Sequence, residues 1–549
     1  MKSSYSRILA VLIFAITFGL FPLSAQNDFE IAKNVDIFIT VLRELNDKYA
    51  DEITPGDLTK TAIDAMLESL DPYTNYYPEN QLEDVKMLTT GQYGGIGALI
   101  QQRDNHVIIS EIFEDAPAHK AGLLAGDIIL KIDGKSAEGK TSSDVSTILK
   151  GQPNTKISIE ILRPTNDKKL TFNIERKEVK LPNIPYFGML DSQIGYIKLD
   201  QFTEKAGNEV RNAFLELKQK GMQALILDLR NNGGGLEQEA VNLLNIFVDA
   251  NTTIVTNKGK IPEQNHVFKT RQPVTDAKIP VVVLVNELSA SSSEIVAGSF
   301  QDLDRAVIVG KKSYGKGLVQ NVIPLSYNST MKITVAKYYI PSGRCIQNID
   351  YFDKDSLTSR KHIADSLAVP FKTKNGRTVY DKGGIEPDVI TPDVNASNIL
   401  LALVLHNLIF DYANEYHANH TVIPPATEFS IDDDTYNDFI NFLKNKEYTY
   451  TTATEEALKE LKETAEDEKY FSKIEPLYNQ LEEQIAKDKE KDLITYKKEI
   501  SEYLASEIVV RYYHQKGRIA NQLSIDPDIQ TAKEILNDLP RYRSILKIK

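Results

Sequence analysis

The sequence predicts a multidomain α/β protein with helical regions at both ends, and three observations carry that prediction. A chain of 549 residues exceeds what one ordinary hydrophobic core organises, so several domains are expected. Between residues 194 and 310, short Val/Ile/Leu runs alternate with amphipathic stretches, the pattern of a largely buried sheet wrapped by helices. Before residue 90 and after residue 395 the apolar residues recur at helical spacing instead. A hydrophobic content of 42% beside 26% charged residues is enough to fill cores and unlike a disordered chain. The formal net charge of -13, with no basic stripe, speaks against a nucleic-acid partner.

The N-terminus sets Lys2 and Arg7 before an apolar stretch from Ile8 to Leu20 and the small-residue end Leu23-Ser24-Ala25. That order is a secretory signal, and the run is shorter than the ~20 residues a membrane-spanning helix needs. Residues 1–25 are therefore expected to be a signal peptide, and the protein to be periplasmic or otherwise extracytoplasmic; an uncleaved membrane-anchored form is the alternative. Residues 26–90 read as a helical region, with Ile31, Val35, Phe38, Val41 and Leu42 on one face and Ile63, Met66, Leu67 and Leu70 on another, stopped by Asp71-Pro72.

Residues 91–180 change character. Gly91, Gly94, Gly95 and Gly97 precede alternating apolar segments at 106–113, 128–132 and 157–162, and between them lies "APAHKAGLLAGDIILKIDG" (116–134), a short helix, a tight turn and a strand. This stretch resembles a PDZ domain. Such a module adds a peptide as an extra strand and holds its terminal carboxylate in backbone N–H groups, and Gly95, Ile96, Gly97 and Ala98 supply the small residues for that nest. Residues 181–395 then alternate strands (194–199, 224–229, 281–286, 306–310) with helices (204–220, 236–248, 292–302), a β/α core. Residues 396–549 read as a charged helical extension, with Ile474, Leu477, Leu481 and Ile485 on one face and Glu455 and Lys459 as an i,i+4 pair. Its charge runs read as a solvated helix face.

The chemistry gathers in loops of the core. "VVVLVNELSASSSEIVAG" (281–298) runs a strand into a serine-rich turn and a helix start, where unpaired N–H groups favour a developing oxyanion. A serine needs a base. No histidine is well placed: only His266 lies near the core, in a loop. Lys316 stands between two glycines in "SYGKGLVQ" (313–320), and a lysine serves as a base once burial makes it neutral. Moving it from near 10.4 to about 7–8 takes roughly 4 kcal/mol, which a dry pocket supplies. The third piece is "LDLRNNGGGLEQEA" (227–240), whose glycines let a backbone N–H reach into a site; it lacks the spacing of either phosphate-binding glycine motif. The single cysteine, Cys345, excludes an intrachain disulfide and a multi-cysteine metal site.

Together with "SLDPYTNYY" (69–77), "PSGRCIQ" (341–347) and "GGIEPDV" (383–389), these motifs resemble the carboxy-terminal processing, or tail-specific, proteases over roughly residues 65–395. That family implies a serine peptidase core with a Ser-Lys pair behind a PDZ domain. The resemblance makes Ser291 the nucleophile, Lys316 the general base and Gln320 the residue orienting it, with the N–H groups of Gly234 and Ser292 as the oxyanion hole. Ser292 stands where the family usually has alanine. Asp302 matches an acid that some members require. The resemblance implies no metal and no cofactor, substrates that are proteins with exposed C-termini, and helical regions that could form a homodimer or hold an adaptor. Two other readings are weighed. A chymotrypsin-like protease with a PDZ domain needs a double β-barrel ahead of the module, where the sequence is helical. A non-catalytic PDZ peptide-binding scaffold or chaperone would make the loops vestigial.

Overall fold

The computed structural model describes residues 23–351, 361–362, 368–381, 383–393 and 395–548, and it separates into two compact units, residues 1–76 and 77–549. The apolar stretch of the expected signal peptide lies outside the described residues. In the first unit, helix α1 (Leu23–Lys48) is followed by α2 (Pro55–Glu68), which opens on a proline where its missing N–H leaves nothing unpaired. The run stops as expected: the Asp71 carboxylate accepts the N–H groups of Tyr73 and Thr74, a local turn that competes with helix.

In the second unit, α3 (Leu82–Thr90) ends on a left-handed Gly91. The PDZ-type sheet follows, with β1 (Gln92–Gly95), β2 (Ala98–Arg103), β3 (His106–Ile112), β4 (Ile128–Ile132), β5 (Lys156–Arg163), β6 (Lys168–Glu175) and β7 (Lys177–Lys180). Strand order is β2-β3-β4-β5-β6, so β2 is an edge, and β1 pairs separately with β7. Helices α4 (Pro117–Ala121) and α5 (Ser142–Leu149) complete the module, α5 starting at a capping box formed by Thr141 and Asp144. Ile109, Ile129, Val145, Ile159 and Ile161 fill its core.

The central sheet has six strands in the order β8 (Tyr186–Met189), β9 (Ile194–Lys198), β10 (Ala224–Asp228), β13 (Val281–Val285), β14 (Val307–Gly310) and β17 (Val389–Ile390). The first pair is antiparallel and the rest are parallel. A second sheet pairs β11 (Thr253–Gly259) and β15 (Leu318–Pro324) on either side of β16 (Thr330–Tyr339), with β12 (Val267–Lys269) beyond β11. Helices α6 (Ala206–Gln219), α7 (Glu237–Leu244) and α8 (Ser292–Asp302) cover one face of the central sheet, through Phe214, Leu244 and Phe300 against Ile197, Leu227 and Val283. The sequence predicts α7 out to residue 248. It stops at Leu244 because the buried Asn245 side chain bonds the backbone of Arg271 and Gln272 instead.

The other sheet face is covered from the far end of the chain. The C-terminal helices are α9 (Asn398–Leu405), α10 (Leu408–Asn419), α11 (Asp433–Leu443), α12 (Ala453–Asp467), α13 (Phe471–Lys489), α14 (Lys497–Gln522), α15 (Pro527–Asn537) and α16 (Leu539–Ile545). Ile529 and Ile535 of α15, Tyr542 of α16 and Leu546 just past its end pack on Tyr196, Ile226, Val282 and Val309, each such side chain stabilising by roughly 1.5–3 kcal/mol. The same region grips the PDZ module: Asp411 takes both guanidinium arms of Arg103 at 2.7 Å, and Arg518 pairs with Glu111. The extension is thus a structural layer of the core, where charge runs alone suggested a solvated face. On α13 the expected apolar face is not buried: Leu477 and Leu481 are exposed, and Tyr478 is the buried residue of that helix.

Candidate active site

Strand β13 ends at Val285, and a turn of six residues delivers the chain to α8. Of the four serines at 289–293, two in the turn and two opening α8, three face inward. Ser289 donates its hydroxyl to the Leu229 carbonyl, Ser292 to Gly235 and Ser293 to Asn232, and all three are buried. Ser291 alone is partly open to solvent. It adopts φ +55°, ψ −115°, a conformation costly for a residue with a Cβ. Such strain at a strand-to-helix junction presents a side chain away from the fold.

These serine contacts lace the turn to the glycine loop. Ala290 N–H donates to the Asn232 carbonyl, and Asn231 and Asn286 exchange two bonds. Gly234 has φ +101°, and a Cβ there would lie 2.8 Å from both the Ala290 carbonyl oxygen and Ser291 Cβ. Only glycine fits that seat. Its N–H, expected to face an oxyanion, donates to Asn232 Oδ1 at 2.9 Å, so serving as an oxyanion donor requires exchanging that bond. Asn232 is fully buried and also reaches the Leu199 carbonyl, which explains why the loop closes on it. Ser292 is the first residue of α8, where an N–H has no partner within the helix.

The lysine loop is held to the serine turn by one carboxylate. Glu294, fully buried in the first turn of α8, accepts from Ser291 N–H (2.9 Å), Lys316 N–H (2.8 Å), Gly315 N–H (2.7 Å) and the Ser313 hydroxyl (2.6 Å). Four donors occupy all its acceptor positions, so they hold its titration down while burial pushes it above the ordinary carboxylate value, and burial is the larger effect. A second tie is Tyr338 on β16, whose hydroxyl sits 2.8 Å from the Lys316 carbonyl and 3.2 Å from that of Ser291. Burial, with Glu294 adding, lifts this phenol well above its usual range, so it remains a donor. Gly315 has φ +86°, and a Cβ there would meet Asn348 Cβ at 2.5 Å. Lys316 itself is partly buried.

The structure therefore brings the backbones of Ser291, Ser292 and Gly234 together, and it ties the Lys316 backbone to that turn through Glu294 and Tyr338. Gln320 lies on β15 beside a bulge at Val319/Gln320 and donates to Thr334 at 3.3 Å; the bulge re-aims its side chain. Asp302 is elsewhere. It closes the opposite end of α8, about 16 Å from Ser291 at 1.5 Å per residue, and is tied to the Ser342 N–H and to the buried Arg344 at 2.9 Å. In the PDZ module, the Ile96 and Gly97 carbonyls accept from Ala118 and Phe113, and Gly97 at φ +76° would bring a Cβ within 2.3 Å of Ala116 Cβ. Among the described residues, no group of three or more His, Cys, Asp and Glu could hold a metal ion. Sequence reasoning missed Glu294, Tyr338 and Asn232. Glu294 carried a signal, the Ser-x-x-Glu spacing of a helix start; the other two carried none.

A PDZ module joined to a β/α core with a strained serine at a strand–helix junction defines a serine-type peptidase. Residues 193–356 match the model of peptidase family S41, residues 94–175 that of the PDZ domain, and residues 399–536 that of the "Probable PDZ-protease, C-terminal helical domain". The chain belongs to peptidase family S41. It is 36% identical over 334 residues to the "Carboxy-terminal-processing protease" of Bartonella bacilliformis, covering 60% of this chain and 76% of that one. It is 32% identical over 316 residues to the "Probable CtpA-like serine protease" of Staphylococcus aureus strain bovine RF122, covering 57% of this chain and 62% of that one. Among solved structures, the photosystem II D1 C-terminal processing protease is 27% identical, covering 64% of this chain and 86% of that one, with a TM-score of 0.35.

Proposed function

We propose that this chain is an endopeptidase that takes the C-termini of exported proteins in its PDZ domain and cleaves them by a Ser-Lys acyl-enzyme mechanism. The observation that carries the reading is the Glu294 carboxylate, which accepts the N–H of Ser291 and the N–H of Lys316 together. Neutral Lys316 takes the Ser291 Oγ proton, Oγ attacks the peptide carbonyl carbon, and the Gly234 and Ser292 N–H groups receive the oxyanion. The C–N bond then breaks as Lys316 returns the proton to the leaving amine. Water then gives a proton to Lys316 and attacks the acyl carbon, the ester bond to Oγ breaks to release the new carboxyl product, and Lys316 returns that proton to Ser291 Oγ. Substrate binding uses the open edge of β2 as a template for an added strand, with the N–H groups of the Gly95–Ala98 loop facing the terminal carboxylate. The signal-like N-terminus supports an extracytoplasmic site of action.

The partner at the N-terminus is a second copy of this chain. On α1, Ile31, Val35, Phe38, Leu45 and Tyr49 are exposed and, with Leu42, alternate spacings of four and three, the repeat of a coiled-coil seam. Asp36, Arg43, Glu44 and Asp47 fall off that seam.

One experiment tests the reaction: hydrolysis of an unfolded reporter with a C-terminal tag. Wild type should cleave it and Ser291→Ala and Lys316→Ala should not. Equal cleavage by the variants discards the site, and no cleavage by any protein favours a binding scaffold. Native mass of the same preparations, with Phe38→Glu expected to shift dimer to monomer, tests the seam.

A further inference from the structure

Glu237 opens α7 directly behind the glycine loop, three residues after Gly234. Its Oε2 accepts the Asn257 Nδ2 amide of β11 at 2.8 Å. The other two oxygens of this pair, Glu237 Oε1 and Asn257 Oδ1, are both shut off from solvent, and neither meets a donor among the described residues. A buried acceptor without a donor is rare and costly. Two of them on one bonded carboxyl–amide pair share a single remedy.

The geometry points to Glu237 as a neutral carboxylic acid, its Oε1–H donating to Asn257 Oδ1 while Oε2 accepts Asn257 Nδ2–H, acting as a positioning residue that seats the glycine loop of the peptidase site. One proton satisfies both orphaned oxygens and leaves no charge to bury. The inference rests on the proposed role of that loop. It reaches the reaction by a short route: Asn257 is paired with Tyr338 across β11 and β16, and the Tyr338 hydroxyl holds the Ser291 and Lys316 carbonyls. Consistent with the pairing, burial pushes the Glu237 carboxyl up to about 7.

The titratable groups around it are few. Tyr338 faces it from β16, with Glu294 of α8 and Cys345 acting on the same phenol and Lys316 across that hydroxyl. On its own helix, Glu239 turns to the Gly207 N–H and the Asn242 amide. Before β12, His266 gives its carbonyl to the Asn257 N–H while its exposed ring lies against Phe268. Because the folded carboxyl binds its proton more tightly than the unfolded one, the stabilisation is complete below the ordinary carboxylate range and is lost as pH rises through about 7. Above that pH an unpaired negative charge stands behind the glycine loop.

The test compares kcat against pH for wild type and Glu237→Gln on the tagged reporter. Glutamine presents an N–H where the acid presents its O–H, and keeps it at every pH. Wild-type kcat should fall about tenfold for each pH unit above the titration, and Glu237→Gln should lack that falling limb. The same limb in both proteins overturns the inference. Infrared difference spectroscopy on the full-length Ser291→Ala protein gives a readout independent of turnover. A protonated-carboxyl stretch that titrates near neutrality and is missing from Ser291→Ala/Glu237→Gln supports the pair, and its absence from Ser291→Ala overturns it. If no protein hydrolyses the reporter, the peptidase reading fails while the infrared band still decides the protonation.

Discussion

Helix α8 buries a carboxylate at each end, and the two are held in opposite ways. Glu294, in the first turn, is surrounded by neutral donors: three backbone N–H groups and one hydroxyl. Asp302, the last residue, lies against the Arg344 guanidinium, which also reaches Gln301 and the Tyr380 carbonyl. Burial pushes both carboxyls up, and only the second is offset first by a cation. Neutral donors placed by two loops fix the position of those loops. A buried ion pair fixes mainly itself, since its attraction goes largely to offset desolvation. One end of the helix is therefore built to hold the geometry of the Ser291 turn and the lysine loop, and the other to close the fold around "PSGRCIQ".

The largest effect should come from separating the ion pair. Asp302→Ala leaves Arg344 buried and unpaired, and should destabilise the fold by about 3–5 kcal/mol in denaturant unfolding. Asp302→Leu/Arg344→Met should recover most of that loss, and kcat of the folded fraction should stay within about threefold of wild type, because Asp302 lies about 16 Å along the helix from Ser291. A fall of about a hundredfold in folded protein would show that this end is coupled to the reaction. Next in size is Glu294→Gln, which turns an N–H toward groups that are themselves donors. It should lower kcat about a hundredfold, about 2.7 kcal/mol, with KM nearly unchanged, since it displaces reacting groups and not the binding surface. The sign of its pH effect follows from the raised carboxyl. The folded state binds that proton more tightly than the unfolded chain, so the contribution is full below the ordinary carboxylate range and is lost as pH rises through the raised value. Glu294→Gln should flatten the stability curve in that window.

The same contrast explains what the sequence made legible. The β/α class was readable because Val281–Val285 and its neighbours are apolar throughout, which only a strand buried on both faces permits. That argument also demanded a second covering layer, and α6, α7 and α8 supply only one; nothing local marks Tyr542 or Ile535 as its partners, because their contacts span some hundreds of residues. The serine-rich turn and Lys316 stood out because glycines and a helix start give a site local chemistry, whereas only the family resemblance singles out Ser291 among its serines. Tyr338 and Asn232 did not, since a tyrosine in a strand and an asparagine in a loop look the same whether or not they hold a second segment. Asp302 shows the converse: a motif position alone does not reveal which end of a helix faces the site.

The smallest effect sharpens the contrast most. Tyr338→Phe removes one hydroxyl that joins Ser291 to Lys316 through their carbonyls, and leaves the ring packed in the core. One hydrogen bond is worth about 0.5–1.5 kcal/mol of stability, and the two carbonyls it leaves lie beside a partly open site, where water can replace it. The variant should therefore fold with a loss of about 1 kcal/mol in denaturant unfolding. If the hydroxyl only fills the core, kcat should move by no more than that stability change suggests. If it sets the spacing of the two loops, kcat should drop about tenfold, about 1.4 kcal/mol, with KM unchanged, and adding Glu294→Gln should cost less than the product of the single effects because both changes loosen the same joint. Strict additivity would mean that the carboxylate alone holds the Ser291 turn and the lysine loop together.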